Sequence, residues 1–152
     1  MKICGIDPSV NSTGIWVSPP ETGFVMKGLS SKHSEQDRLQ HYYRELVKLF
    51  TEYQIELVVK EGIFLHPRRF QGALLMVQLH GVIYSAAAAV GGIDVVSVAP
   101  TQLKQFATGS GRASKEDMEL HALHQNYSGP KQDDVIDAWH LVQYGLANLS
   151  QI

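Results

Sequence analysis

The opening of the chain, Lys2-Ile-Cys-Gly-Ile-Asp-Pro, permits only a short strand and then ends it. Ile3, Cys4 and Ile6 make an apolar run, Asp7 stands where pairing must stop, and Pro8 has no N–H with which to continue a ladder. A carboxylate is thereby fixed at a rigid strand end, and Gly5 lets another element pack closely against the strand. Ser9, Asn11, Ser12 and Gly14 spell a tight turn, and Thr13 to Ser18 returns as a second strand. Pro19, Pro20 and Gly23 mark another hairpin, after which Phe24, Val25 and Met26 form a third strand ending near Ser30. Three strands so closely linked predict an antiparallel meander, and the rest of the chain alternates helix with strand before closing on helices.

Ser34 with Asp37 three residues on is a helix-capping signal, and Leu39, Tyr42, Tyr43, Leu46, Phe50 and Tyr53 recur at helical spacing. The pattern predicts a helix over Ser34 to Tyr53, packed on the sheet. Ile55 to Lys60 is short and rich in β-branched residues, so it predicts a fourth strand with Glu61, a second acid, at its carboxyl end. A loop from Ile63 to Arg69 carries Phe64, His66, Arg68 and Arg69. A helix follows and stops at Gly91-Gly92, and Ile93 to Val98 is the fifth strand. Pro100 opens a short helix through Ala107, Gly109-Ser-Gly-Arg-Ala is a glycine-rich loop, and Ser114 with Asp117 caps a helix to about Asn126. Ser128-Gly129-Pro130 breaks it, and a last helix runs from about Gln132 to Leu149.

The 152 residues, 44% hydrophobic, suffice for one full core, so a single domain over residues 1–152 is expected. Charges interrupt the first strand and nothing resembles a secretion signal, which points to the cytoplasm. Cys4 has no partner cysteine and is read as a small core residue. Phe70 to Ile93 holds no Asp, Glu, Lys or Arg and is long enough to span a bilayer. Its Gln71, Gln78, His80, Ser85 and glycines indicate instead a helix that is buried or faces a second copy of the chain, with no membrane partner. Leu74, Leu75, Val77, Leu79, Val82 and Ile83 wrap more than one face of it, more than one sheet can cover, which predicts a homodimer. The net charge of −2 would become +2 with four site acids set aside, so it does not exclude nucleic acid.

The last helix carries Asp134 and Asp137, three apart on one face near its amino end, with Asp137 among Ile136, Ala138 and Trp139. A carboxylate so close to a core face needs a partner such as a cation. Two acids on strand ends and a spaced pair on a terminal helix form the oxygen-rich set that Mg²⁺ requires when it shares a substrate phosphate. Phosphodiester hydrolysis with two ions roughly 3.5–4 Å apart is the chemistry that such a set serves.

These residues resemble the RuvC family of Holliday junction resolvases. The likeness is carried by Gly5-Ile-Asp-Pro-Ser with Thr13-Gly14, Glu61 with Phe64, Lys104 with Gly109-Ser-Gly and Lys115, and Asp134-x-x-Asp137-Ala138, in family order over nearly the whole chain. It implies an α/β, ribonuclease H-like fold: a five-stranded mixed sheet, three antiparallel strands then two parallel, with helices on both faces. It also implies a Mg²⁺-dependent endodeoxyribonuclease, Mn²⁺ able to substitute, that as a homodimer makes paired nicks across a four-way junction and leaves 5′-phosphate and 3′-hydroxyl ends. Asp7, Glu61, Asp134 and Asp137 then correspond to the metal-binding catalytic acids, Lys104 and Lys115 to the lysines that hold phosphate at the cut, and Phe64 to an aromatic that stacks on a base. The chain departs from the family at Ser9, where glycine is usual, at Lys60, where an apolar residue is usual, and in its short carboxyl end, which fits a divergent or phage-encoded member.

Arg68, Arg69, Arg112 and Lys131 are candidate contacts to backbone phosphates, which position DNA without reading it. His121 and His124 are read as a surface pair, His140 as a helical histidine satisfied in place, and Asp133 as solvated. Other readings are a ribonuclease H-like nuclease acting on RNA or flaps, a junction-binding protein that does not cut, and an actin-like phosphotransferase, which would need a second such domain. A branch-migration motor as partner is not deducible from these residues.

Overall fold

The computed structural model describes residues 1–65, 68 and 70–151, with residues 70–72 described by backbone alone. A meander of β1 (Ile3–Asp7), β2 (Ser12–Ser18) and β3 (Thr22–Lys27) is followed by α1 (Glu35–Tyr53), β4 (Leu57–Glu61), α2 (Phe70–Val90) and β5 (Asp94–Val98). The chain ends with α3 (Pro100–Thr108), α4 (Lys115–His124), α5 (Asp133–Ala147) and one 3₁₀ turn at Leu149–Gln151. The sheet order is β3-β2-β1-β4-β5, with β1/β2 and β2/β3 antiparallel and β1/β4 and β4/β5 parallel.

Strand alternation divides the core between the two faces of this sheet. Cys4, Ile6, Ile15, Val17 and Val58 bury one face under α1 and α2, where Tyr42, Leu46, Phe50, Leu79 and Ile83 meet them. Ile3, Trp16, Leu57 and Val59 bury the other beneath Leu103 of α3, Met118 of α4 and Ile136, Trp139 and Val142 of α5. Each such aliphatic or aromatic side chain contributes roughly 1.5–3 kcal/mol of burial. The odd-numbered residues of β1 and β4 therefore face α5, so Asp7 and Glu61 point where α5 lies and Lys60 points beneath α2.

Glycine at two positions lets α5 come this close. A Cβ on Gly5 would strike the Ala138 carbonyl of α5, and one on Gly14 would strike the Asp134 carbonyl. Ser34 caps α1 by accepting from the Asp37 N–H at 3.0 Å, and Ser114 and Asp117 form a complete capping box on α4.

Element ends depart from the sequence expectation where local hydrogen bonds compete. The fourth strand begins at Leu57 and not Ile55, because the Ile55 N–H donates to the Phe50 carbonyl and closes the end of α1. The third strand starts earlier, at Thr22, and Gly23 is a strand residue opposite Trp16, where a Cβ would enter the indole ring. That strand stops at Lys27, since the Gly28 N–H turns to the Asn11 carbonyl. The α4 helix ends at His124, before the left-handed Asn126, and α5 ends at Ala147 before the 3₁₀ turn.

Candidate active site

Parallel register sets the first two acids side by side: Ile6 pairs with Lys60, so the next residues, Asp7 and Glu61, end adjacent strands. Their carboxyl groups are hydrogen-bonded to each other. The turn after Asp7 is tied down from three sides. The Thr13 hydroxyl donates to the Ser9 carbonyl at 2.9 Å, the Ser9 N–H donates back to Thr13 Oγ1 at 3.1 Å, and the Tyr42 hydroxyl donates to the same carbonyl at 2.8 Å. Asp134 enters from the first turn of α5, its backbone against Gly14, and its Oδ2 accepts from Ser12 Oγ at 3.4 Å. Asp137 follows one turn later.

Electrostatics show that the four acids form one group. Burial first, then the charges of Glu61, Asp137 and Asp134, hold the Asp7 carboxyl well above the ordinary aspartate range. Burial raises Glu61 as well, against the lowering effects of its hydrogen bond with Asp7 and of the Lys104 ammonium. Asp137 is pushed up to about 7 by burial and by Glu61, Asp133 and Asp134, with Lys104 again opposing. The pattern is that of clustered carboxylates short of positive charge, the donor chemistry that a hard divalent cation satisfies. Among the described residues, no three acidic or imidazole groups stand close enough to enclose an ion. The fit to a cation therefore rests on the oxygen donors, their shared burial and their mutual repulsion.

Two cations flank the acids. Lys104 is half-buried on α3, near enough to lower both Glu61 and Asp137. Lys115, exposed at the start of α4, pairs with Asp133 Oδ2 at 2.9 Å and also feels Asp134 and Asp137. Between them the glycine-rich loop is held by Gln105, which donates to the Gly109 carbonyl and accepts from the Gly111 N–H. Beyond Glu61 the Phe64 ring is 78% exposed.

The family model described as crossover junction endodeoxyribonuclease RuvC matches residues 3–142. The chain belongs to the RuvC family. It is 34% identical to a RuvC from Syntrophomonas wolfei, covering 97% of this chain and 92% of that one. It is 35% identical to a RuvC from Rhodopirellula baltica, covering 90% and 80%. In fold it is similar to Thermus thermophilus RuvC, solved alone (21% identity, TM-score 0.81) and in complex with a Holliday junction substrate (23% identity, TM-score 0.82); each match covers 99% of this chain and 96% of the other. The mixed five-stranded sheet is that ribonuclease H-like architecture. As a RuvC-family member the chain is a Holliday junction resolvase, an endonuclease that hydrolyses phosphodiester bonds of branched DNA in recombination and repair, and the family is metal-dependent.

Of the RuvC residues expected from sequence, the structure gathers Asp7, Glu61, Asp134, Asp137 and Lys104 into one centre and puts Lys115 on its rim. Arg68, Arg112 and Lys131 are exposed, while Arg69 and His66 lie outside the described residues. Asp133 is solvated, its side chain 45% exposed, and it also pairs with Lys115. His140 is satisfied in place: it is buried, with Nε2 against the Met118 carbonyl at 2.9 Å. Sequence reasoning missed Ser12, whose hydroxyl at the start of β2 meets Asp134 of α5, and His80, which meets the departing residue Lys60. Lys60 sits 3% exposed under α2 and donates to His80 Nδ1 at 2.8 Å and to Ser97 Oγ at 3.1 Å. A lysine inside an otherwise apolar strand was the available signal, since a buried ammonium demands acceptors.

Proposed function

We propose that Asp7, Glu61, Asp134 and Asp137 hold Mg²⁺, or Mn²⁺ in its place, and that this centre cuts one strand of a four-way junction within a single nuclease domain spanning residues 1–152. Bound there, the ions would supply a lowered pKa for the attacking water and Lewis-acid stabilisation of the leaving oxygen. The observation that carries this reading is that Asp7, Glu61 and Asp137, buried at two strand ends and on the one helix they face, are all raised, first by burial and then by neighbouring acids, with Lys104 offsetting the rise at Glu61 and Asp137. Lys104 and Lys115 hold the phosphate, Lys115 exchanging Asp133 for the DNA backbone, a trade that is cheap because the pair is solvent-exposed. Water displaces the 3′ oxygen, which leaves a 3′-hydroxyl and a 5′-phosphate. Phe64 presents an exposed ring on which an opened base stacks, and Arg68, Arg69 and Arg112 meet the backbone.

A second copy would cover α2, which over Ala73–Val90 has a mean hydropathy of 1.7 with only 28% of the segment buried. Leu79, Ile83, Ala86 and Ala87 seat the helix on the core, while Leu74, Val77 and Tyr84 face outward. Two centres so joined make paired nicks, in the cytoplasm where the DNA lies. End-labelled four-way junction incubated with the protein, with and without Mg²⁺, tests the reading: nicks in opposite strands only with the ion are expected. Cutting of single-stranded flaps or structured RNA at the same rate as junctions would overturn junction selectivity.

A further inference from the structure

The hairpin that carries Asp7 also reaches Asp134. Asp7 pairs with Gly14 across the β1/β2 ladder, and Gly14 leaves room for the Asp134 main chain, whose carbonyl a Cβ would strike. Two residues earlier, on the same face of β2, Ser12 Oγ donates to Asp134 Oδ2 at 3.4 Å. One strand thus meets Asp134 at two points, its main chain at Gly14 and its carboxylate at Ser12. The mount under Ser12 is rigid. Ser12 sits opposite Lys27 in the β2/β3 ladder, the Asn11 carbonyl before it accepts from the Gly28 N–H at 2.9 Å, and the Thr13 hydroxyl after it donates to the Ser9 carbonyl at 2.9 Å. The start of α5 offers no comparable hold, since its N-cap, Gln132, makes no side-chain cap hydrogen bond.

An aspartate carboxylate turns easily about its last torsion, so an ion that binds it must otherwise fix that rotation at an entropic cost. A hydroxyl proton on one oxygen settles the plane of the group beforehand and leaves the other oxygen free to ligate. At 3.4 Å the bond is longer than the roughly 2.5–3.0 Å usual between a hydroxyl and a carboxylate, so it directs the group more than it anchors it. We propose that Ser12 is a positioning residue for the metal centre: its hydroxyl presets the Asp134 carboxylate for a divalent cation and touches neither the ion nor the DNA. This rests on the reading of the four acids as the metal site, and it adds to them a side chain from β2, a strand that carries none of the four.

The test measures Mn²⁺ binding to the DNA-free protein, read from the paramagnetic resonance of the free ion, beside metal-free junction binding and junction cutting over a range of Mg²⁺. Ser12→Ala should weaken Mn²⁺ binding about 10-fold and raise the Mg²⁺ needed for half-maximal cutting by a similar factor. The rate at saturating Mg²⁺ and the metal-free junction affinity should both stay within about 2-fold of wild type, because the hydroxyl acts only through the ligand it orients. Ser12→Thr, which keeps the hydroxyl, should restore the wild-type ion affinity, and Ser12→Val, of the same shape without it, should not. Ion affinity unchanged in Ser12→Ala, or equal in the Thr and Val variants, overturns the proposal. So does a metal-free junction affinity that falls in step, which would make the hydroxyl a DNA contact, and so does a Ser12→Ala chain that fails to fold, which would make Ser12 a support of the hairpin alone. A wild type that cuts junctions yet takes up no Mn²⁺ without DNA also overturns it, because the free protein is then not preset. A wild type that does neither overturns instead the metal-site reading on which the proposal rests.

Discussion

Burial and three neighbouring acids push the Asp7 carboxyl toward its protonated form, an arrangement that makes two properties measurable. Asp7→Asn, Glu61→Gln, Asp134→Asn and Asp137→Asn should each lower junction cutting by roughly 100-fold or more, while binding without metal holds or tightens, because each amide removes a charge that repels DNA. Gel-shift and cleavage assays side by side check this, and full activity in one variant removes that residue from the centre. The second property is pH dependence. Asp137 titrates at about 7 in the folded chain against an ordinary aspartate value of 3.8, so between those limits the native state holds a proton that the unfolded chain has lost. Stability of the metal-free protein therefore falls as pH rises through that window, the reverse of a salt-bridged aspartate. Its melting temperature should drop by roughly 5 °C between about pH 5 and about pH 8, less in Asp137→Asn, and Mg²⁺ should restore more at the higher pH. Equal slopes in the two proteins would show that Asp137 is not the group titrating.

Among the elements, α3 and α4, joined by the glycine-rich loop, bring Lys104 and Lys115, the lysines proposed to hold phosphate, within electrostatic reach of the acids. Lys104→Ala and Lys115→Ala should each flatten the salt dependence of junction binding by about one unit of log–log slope, across DNA sequences alike, since a point charge on phosphate releases a counterion and reads no base. Unchanged slopes would take both lysines off the interface. The spacing of these elements was legible in the sequence because caps, glycines and apolar periodicity are local signals: Ser34, Ser114, Gly109 and the helix faces all lie where the pattern puts them. The acids were legible too, as carboxylates at the ends of apolar runs. What the sequence hid is long-range: Ser12 meets Asp134 from 122 residues away, and Lys60 meets His80 on another element, 20 residues on. Neither contact leaves a periodic trace. Strand ends were blurred for a related reason, because backbone groups such as the Ile55 N–H choose between a ladder and a helix end only once both are in place.

At the scale of the whole molecule, one centre cuts one strand, and a four-way junction needs two cuts. The sheet already spends one face on α1 and α2 and the other on α3, α4 and α5, so the outward row Leu74, Val77 and Tyr84 of α2 has no further cover within the described chain. A second copy laid against α2 would bury that row and fix the spacing and opposite polarity of two centres, which a two-fold axis does without further parts. Leu74→Glu combined with Val77→Glu places four charges across such an interface but none in either core, so circular dichroism and melting should stay close to wild type. Light scattering should then give the mass of one chain where the wild type gives two at micromolar concentration. On a supercoiled cruciform plasmid the wild type should produce linear product in one binding event, whereas the double variant should leave nicked circles. A wild-type mass of one chain, with junction DNA present, would end the dimer reading, and linear product from a monomeric variant would show that paired cutting does not require α2.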